Sequence, residues 1–546
     1  MSINSMPLDR WNTGIVALAS FITLPLLVLF GSWAQPDWSI WSHLLDTVLA
    51  DYVINSIILA AGVGLGTLLL GTLCAWCVVR YRFPFRNIIQ WALLLPLAIP
   101  GYIIAYTYTG ILDFSGPVQT LIRDLSGLRY GQYWFPELQS LFGAIVMLVL
   151  VLFPYVYLMA MTAFKAQSSS LYYAAKSMGL NKRQYFFRIA LPMARPALLT
   201  GAALTMMEAF ADYGTVQYFG VPTFTTGIFR VWFGMNSPLA AAQLASGLCL
   251  FVLGLLLLEQ YSRRKQRFYQ PGQKSAELEP QKVSGGKGIL MSLLVATPFL
   301  LGFLIPVLQL IQWSWLTWSY MLNADFLQLL KNSFVLAAVA ALVVVFCALF
   351  VSYGKRLNPN RWMTTSTQLA GMGYAIPGTV IAIGVMIPFA WFDKSLNGWL
   401  LVAFNYEPGL IFSGTLFVLI FAYTVRFLTV AKHNIDAGLE RIKPSMDEAA
   451  RNMGNSPGQV LKRVHVPLLG SSVLSALLLV FVDVMKELPA TLILRPFNFN
   501  TLAVRTYELA SDERLADAAL PAMSIVIMGL IPVILLAWGI DKQKVG

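Results

Sequence analysis

The chain has 546 residues, of which 57% are hydrophobic and 12% charged, with a mean hydropathy of +0.67. Soluble domains carry roughly twice that charged share, so the composition excludes an ordinary soluble enzyme. The formal net charge of +12 is spread over alternating loops, which speaks for orientation in a membrane rather than for a nucleic-acid surface.

A helix needs about 20 apolar residues to cross a bilayer. Runs of that kind predict twelve spans, six before the stretch Tyr261–Lys287 and six after it. The first, about Asn12 to Trp33, is too long for a signal-peptide core and lacks a clear small-x-small cleavage site, so it reads as an uncleaved helix. The loop Ala34–Val53 holds no Lys or Arg, while the next carries Arg80, Arg82 and Arg86. This positive-inside alternation predicts that both termini are cytoplasmic. Cys74, Cys77, Cys249 and Cys347 all fall in predicted spans and read as small apolar packing residues. His43, His433 and His465 are scattered and form no metal constellation. The stretch 261–287 begins with Arg263, Arg264, Lys265 and Arg267 and continues in Pro, Gly, Gln, Lys and Ser. It reads as a solvated cytoplasmic linker between residues 1–260 and 288–546.

The two halves repeat. Tyr173-Ala-Ala-Lys-Ser-Met-Gly179 returns 275 positions later as Glu448-Ala-Ala-Arg-Asn-Met-Gly454, and the register continues through Gln184/Gln459, Arg188/Arg463 and Pro192/Pro467. Glu208/Asp483 and Arg230/Arg505 keep the same offset, while Ala98-Ile-Pro-Gly101/Ala375-Ile-Pro-Gly378 and Asn55-Ser56/Asn332-Ser333 recur at 277. An even number of spans per half makes the repeats parallel, related by an axis along the membrane normal. The predicted fold class is therefore an all-α polytopic membrane protein of two six-helix repeats.

Both repeated loops, about 165–195 and 432–467, follow one plan. Ser445-Met-Asp-Glu448 has capping-box spacing, Gly454 suits a left-handed stop, and Ser456-Pro-Gly-Gln459 is a second box with Pro at the first helical position. Pro467 predicts that the second helix ends near Val466. The first copy offers Ser170 as cap, Gly179 as stop, Asn181 with Gln184 as second box, and Pro192 as terminator. Two short capped helices joined by a glycine turn and studded with Lys182, Arg183, Arg188, Lys462 and Arg463 suit docking onto a two-fold partner better than merely lying on lipid.

Glu448-Ala449-Ala450 with Gly454, and Arg188-Ile-Ala-Leu-Pro192, resemble the Glu-Ala-Ala loop of bacterial ABC importer permeases, and the resemblance covers essentially the whole chain as two fused halves. It implies the type I ABC importer permease fold in the cytoplasmic (inner) membrane. It also implies that Ala174, Ala175, Gly179, Pro192, Glu448, Ala449, Ala450, Gly454 and Pro467 couple to a dimer of ATP-binding subunits. Tyr173 stands where the motif has Glu, so the first contact is weaker or different. No G-x-x-x-x-G-K-[ST] occurs in the chain, and Gly285-Gly-Lys-Gly288 does not qualify. The chain is thus expected to be a transporter subunit rather than an enzyme, with no cofactor of its own and with ATP and Mg on the partner.

Four acids fall deep in predicted spans: Glu208 and Asp212, and Asp483 and Glu487, each pair at i, i+4. One reading makes them an acidic, oxygen-rich substrate pathway and transient Fe³⁺ ligands, with Tyr213 and Tyr218 nearby. The other makes them partners of Lys486 or Arg426, or caps of helices broken near Gly214 and Pro489. Lys486-Glu-Leu-Pro-Ala-Thr-Leu-Ile-Leu-Arg-Pro496 and Asp212-Tyr-Gly-Thr215 resemble the fused permease of ferric-iron importers, which take Fe³⁺ from a periplasmic binding protein. Docking of that protein is expected on 222–238 and 495–517. Thiamine and phosphonate permeases are the alternatives. An ion-coupled secondary transporter would explain the buried acids but not the twin capped hairpins.

Overall fold

The computed structural model describes residues 10–129, 131–264 and 279–542. Lys265 and Arg267 of the linker, and both chain ends whose cytoplasmic side was expected, lie outside them. Among the described residues nine helices are long and apolar enough to cross a membrane, or up to eleven if each of two bent pairs counts as one span. A further apolar helix, Ala519–Lys542, stands beside them. The buried share of each span's most apolar window runs from 28% for Trp11–Ala34 to 61% for Leu141–Lys165. The remainder needs an apolar solvent, as a lipid-facing surface does.

The chain divides into two compact units. In the first, built on Leu45–Thr226 with Leu250–Met321 and Thr506–Gly546, the helices Leu49–Arg80, Leu141–Lys165 and Leu191–Ala211 pack as a trio. Small residues set the spacing. A methyl on Gly71 would lie 2.8 Å from Tyr157 N, and one on Gly201 would lie 2.9 Å from Val156 Cα. Backbones approach this closely only where a side chain is absent. Thr67 and Thr205 join across the gap, Oγ1 to Oγ1 at 2.9 Å, satisfying both buried hydroxyls. Cys74 lies in the apolar core of this trio.

The second unit, built on Leu322–Arg505 with Met1–Leu44 and Gly227–Cys249, repeats the trio as Ala324–Leu357, Leu416–Leu439 and Gly470–Met485. The first two helices start 275 residues after their counterparts, at 324 against 49 and at 416 against 141. The spatial units do not follow the chain halves 1–260 and 288–546. The opening helix Arg10–Gly31 packs on Arg361–Ala370 and Gly378–Phe404 of the second unit, whereas its counterpart, Gly285–Phe299 with Ile305–Met321, packs within the first.

The linker is shorter and less passive than its composition predicts. Helix Pro238–Arg264 precedes it, and helix Gly285–Phe299 begins before Lys287. Gln281–Lys282 forms a two-residue parallel strand against Tyr81–Arg82, extended by Val283 N donating to Arg82 O at 3.0 Å.

Candidate functional site

The repeated loops fold by local rules in both copies. In the first, helix Ser169–Ser177 is followed by Gly179 at φ +80, and in the second helix Pro444–Asn452 is followed by Gly454 at φ +82. Gly179 N donates to Lys176 O at 3.0 Å and Leu180 N to Ala175 O at 3.1 Å; Gly454 N donates to Arg451 O at 2.8 Å and Asn455 N to Ala450 O at 3.3 Å. These paired bonds are the Schellman stop, which needs a left-handed residue and therefore favours glycine. Both second capping boxes form, Asn181 with Gln184 and Ser456 with Gln459.

Two start signals differ from expectation. Ser168, not Ser170, caps the first helix, accepting from Leu171 N at 3.4 Å. In the second copy the Ser445–Glu448 box does not form. Pro444, preset for the first helical position, pulls the start forward and makes extended Lys443 the cap residue. The prolines do not stop the second helices where predicted. A π-turn, Phe186–Ala190 or Leu461–His465, precedes each proline and loosens the ladder where the ring has no N–H to give. The first copy then runs on unbroken to Ala211, while the second passes Pro467 and bends by 80° between Leu468 and Gly470.

Of the expected coupling residues, Ala175 and Ala450 are buried against the bundle, while Ala174, Gly179, Pro192, Glu448, Ala449, Gly454 and Pro467 are exposed. Tyr173 is 60% exposed, and Met178 and Met453 form a matched exposed pair. Each loop thus keeps one alanine inward and offers a small-residue and methionine face outward.

The anchors behind those faces are chemically unlike, and sequence reasoning missed both. In the first copy the Arg80 guanidinium lies 4.0 Å above the Tyr172 ring, with Tyr185 against Tyr172 at 5.1 Å. In the second, Arg356 Nε donates to Asp447 Oδ2 at 2.8 Å, its Nη1 to Leu439 O at 2.6 Å and its Nη2 to Ile442 O at 2.7 Å. His465 also bonds Asp447. Tyr172 and Asp447 stand at the 275-residue offset, which is the signal that could have found them.

The deep acids are placed by breaks in their helices. Asp212 follows Leu191–Ala211 and caps the short helix Gly214–Tyr218: Oδ1 accepts from Thr215 Oγ1 at 2.9 Å and Oδ2 from Val216 N at 3.1 Å. Glu487 does the same for Pro489–Leu494, accepting from Ala490 N and Thr491 N at 3.0 Å each and from Thr491 Oγ1 at 2.7 Å. Its Oε1 also takes a 2.8 Å bond from Arg426 Nη1. Asp483 pairs with Lys486 at 3.1 Å. Glu208 is half-buried in the last turn before the first break.

The recurring Ala-Ile-Pro-Gly segments explain themselves here. Each ends a 3₁₀ turn and opens a helix at Gly101 or Gly378. A methyl at Gly101 would sit 2.7 Å from Thr215 Oγ1, and one at Gly378 would collide with Arg426 Nη1 and lie 2.7 Å from Glu487 Oε1. The glycines let one helix start against the other's capped break. Among the described residues no group of three or more His, Cys, Asp or Glu side chains is placed to hold a metal ion. Caps and an ion pair engage Asp212, Glu487 and Asp483 within their own units.

The Asn-Ser repeats pin outer loops. Asn55 Nδ2 donates to Pro222 O at 3.0 Å and Ser56 Oγ accepts from Phe224 N at 3.0 Å; Asn332 Nδ2 donates to Asn500 O at 3.3 Å and Ser333 Oγ accepts from Leu502 N at 2.7 Å. A cavity of about 480 Å³ in the second unit is lined by Trp232 and Phe233 together with Arg495–Asn500.

The chain is similar to the Fe(3+)-transport system permease protein FbpB 2 of Haemophilus influenzae, 27% identical over 89% of this chain and 90% of that one. It is 23% identical to the ferric transport system permease protein FbpB of Actinobacillus pleuropneumoniae, over 88% of this chain and 70% of that one. The putative 2-aminoethylphosphonate transport system permease protein PhnV of Salmonella typhimurium is 27% identical, but over 44% of this chain and 89% of its own. The family model described as the inner membrane component of binding-protein-dependent transport systems matches twice, at residues 67–266 and 366–541. The chain therefore belongs to that family, as a multi-pass inner-membrane permease subunit in two copies that works with a binding protein and a separate ATPase.

Proposed function

We propose that this permease imports ferric iron by alternating access. The observation that carries the cargo is coverage: iron-transport relatives match 88–89% of the chain, across both copies, whereas the phosphonate relative matches 44%. A periplasmic iron-binding protein docks on the outer loops, which carry the pinned segment at 222–224 in one unit and the cavity beside Arg495–Asn500 in the other. Both termini are cytoplasmic. A dimer of ATPase subunits, carrying the ATP and Mg, grips the two inner loops through Ala174, Gly179, Glu448, Ala449 and Gly454, with Ala175, Ala450, Pro192 and Pro467 setting their pose.

Within this reading the four acids divide. Asp212 and Glu487 hold the breaks that shape the route, and Glu208 and Asp483, one turn earlier and the latter paired with Lys486, are the acids assigned to meet a passing hard cation. Uptake assays with the neighbouring binding protein test the cargo: iron accumulates, and thiamine and phosphonate do not. Saturable phosphonate or thiamine uptake without iron uptake would overturn it. Glu208→Gln with Asp483→Asn should slow iron entry while leaving the folded protein and its ATPase docking intact; unchanged uptake would remove both acids from the route.

A further inference from the structure

The outer end of the first copy carries a helix with its polarity reversed. In Pro117–Ser126, Val118, Leu121, Ile122 and Leu125 recur at i, i+3, i+4 and i+7, the spacing that ordinarily faces a protein core. Here Leu121 and Leu125 are 58% and 80% exposed, with Val118 and Ile122 half-buried beside them. The polar residues turn inward instead. Gln119 Nε2 donates to Leu112 O at 2.8 Å, and its Oε1 accepts from Tyr133 Oη at 2.6 Å. Arg123 Nη1 donates to Phe114 O at 2.8 Å and Nη2 to Thr120 Oγ1 at 2.9 Å, and its guanidinium lies 4.2 Å from the centre of the Phe114 ring. These bonds fix the roll of the helix and hold the leucines outward. Water would favour the opposite roll.

The depth of this helix follows from neighbours in the same unit. Gly116 folds back on the last turn of Gly101–Leu112: a methyl there would lie 2.7 Å from Gly110 O and 2.6 Å from Ile111 O. Gly110 in turn packs on Trp313, whose ring an added methyl would meet at 2.5 Å. Beyond Trp313 the helix Ile305–Met321 exposes Trp315, Trp318 and Tyr320, an aromatic belt of the kind that marks a bilayer's edge. Pro117–Ser126 therefore starts within about two turns of that belt. Exposed Trp134, and exposed Phe142 at the start of Leu141–Lys165, continue the apolar surface along the returning chain.

The second copy repeats the reversal within its own unit. There the counterpart, 277 positions on, is the outer end of Gly378–Phe404, a helix that is long and apolar enough to be a span by itself. Asp393, 1% exposed, accepts from Ser413 N at 2.7 Å, and Asn397 Oδ1 accepts from Gly409 N at 3.1 Å. Trp391, Trp399 and Val402 face outward. Val402 stands at the offset from Leu125 and is 89% exposed.

We propose that Leu121 and Leu125 seat the helix Pro117–Ser126 in the outer lipid leaflet as an interfacial anchor. Lipid is the occupant because the exposed surface continues that of the adjoining spans, lies beside the aromatic belt, and reverses its polarity as a bilayer requires. Asp124, exposed at the rim, stays with the headgroup water. The anchor holds one end of Gly101–Leu112, whose other end opens against Thr215 beside Asp212. Packing of the outer leaflet thereby sets one wall of the first capped break. This holds whatever the cargo.

The test uses the full-length permease in phosphatidylcholine nanodiscs, carrying Cys74→Ala, Cys77→Ala, Cys249→Ala and Cys347→Ala. A nitrobenzoxadiazole label is placed in turn at Leu121→Cys, Leu125→Cys, Val402→Cys and, in the exposed loop, Gln132→Cys. Lipid bearing a nitroxide near its headgroup should quench the labels at 121, 125 and 402 at least about threefold more than the label at 132, and aqueous iodide should do the reverse. Equal lipid quenching at 125 and 132, or stronger iodide quenching at 125, would overturn the leaflet seat. Shielding of 125 that arises only on adding the neighbouring binding protein would assign the face to a protein and overturn lipid as its occupant. With the native cysteines kept, a photo-crosslinking residue at 125 should form phospholipid adducts; adducts to the binding protein alone would overturn the proposal.

Discussion

Glu487→Ala is the sharpest probe of the capped breaks. It removes three cap bonds of 2.7 to 3.0 Å and the 2.8 Å partner of Arg426. The Glu487 side chain is 2% exposed and that of Arg426 15%, so the stranded guanidinium stays largely out of water. Breaking one side of a buried pair costs about 3–5 kcal/mol, and losing a cap about 1 kcal/mol. The expected loss is thus about 4–6 kcal/mol, large against the 5–15 kcal/mol typical of a folded domain. Asp212→Ala removes a cap without stranding a charge and should cost about 1–2 kcal/mol. Adding Arg426→Met to Glu487→Ala removes the stranded charge and should restore about 2–3 kcal/mol. Melting of the purified protein in nanodiscs orders the three variants. Equal losses for Asp212→Ala and Glu487→Ala, or a double variant no more stable than Glu487→Ala, would refute the role of Arg426. Unchanged melting in both single variants with abolished uptake would make these acids cargo ligands instead of caps.

At Gly179 and Gly454 nothing lies within 4 Å of an added Cβ, so Gly179→Ala and Gly179→Leu should cost the same, about 1–2 kcal/mol of left-handed strain. Hydrogen exchange across the loop measures it, and a far worse Leu would mean that space rather than φ demands glycine. Gly378→Ala should destabilise more than Gly101→Ala, because the first drives a methyl into a buried ion pair and the second into a hydroxyl that can rotate; equal melting would contradict this. Asp447→Ala should loosen residues 439–468 by about 2–4 kcal/mol, since Arg356 and His465 both lose their acceptor. Tyr172→Phe keeps the ring under Arg80 and should change exchange of the first loop by less than about 0.5 kcal/mol.

Length, apolar runs and the 275-residue repeat were enough to read an all-helical membrane protein built twice. Local chemistry was equally legible: Gly179, Gly454 and the Asn181 and Ser456 boxes fold as their residues dictate. The failures arise where two local rules compete. Ser445 had the right spacing for a cap, but Pro444 held the stronger claim on the first turn. Pro467 suggested a stop, yet a π-turn one residue upstream absorbed it. For the acids, the outcome turned on residues far away in sequence. Only the fold brings Arg426 to Glu487, 61 positions apart, or sets Gly101 against Thr215 and Asp212. The exchange of opening helices between the units left no local trace at all.

The small strand pair of Tyr81–Arg82 with Gln281–Lys282 bears on how such a protein tolerates being divided. The seam between the halves is stitched into the first of them: Lys182 Nζ reaches Gln281 Oε1 at 2.7 Å, and Ser292 Oγ donates to Pro84 O at 2.7 Å. A protease nick introduced upstream of Gln281 leaves that stitching in place, so a two-gene version cut there should assemble like the fused one. A cut after Val283 frees the strand from the helix it leads into, and the downstream fragment must find its seat through the Ser292 bond to Pro84 without the strand to guide it.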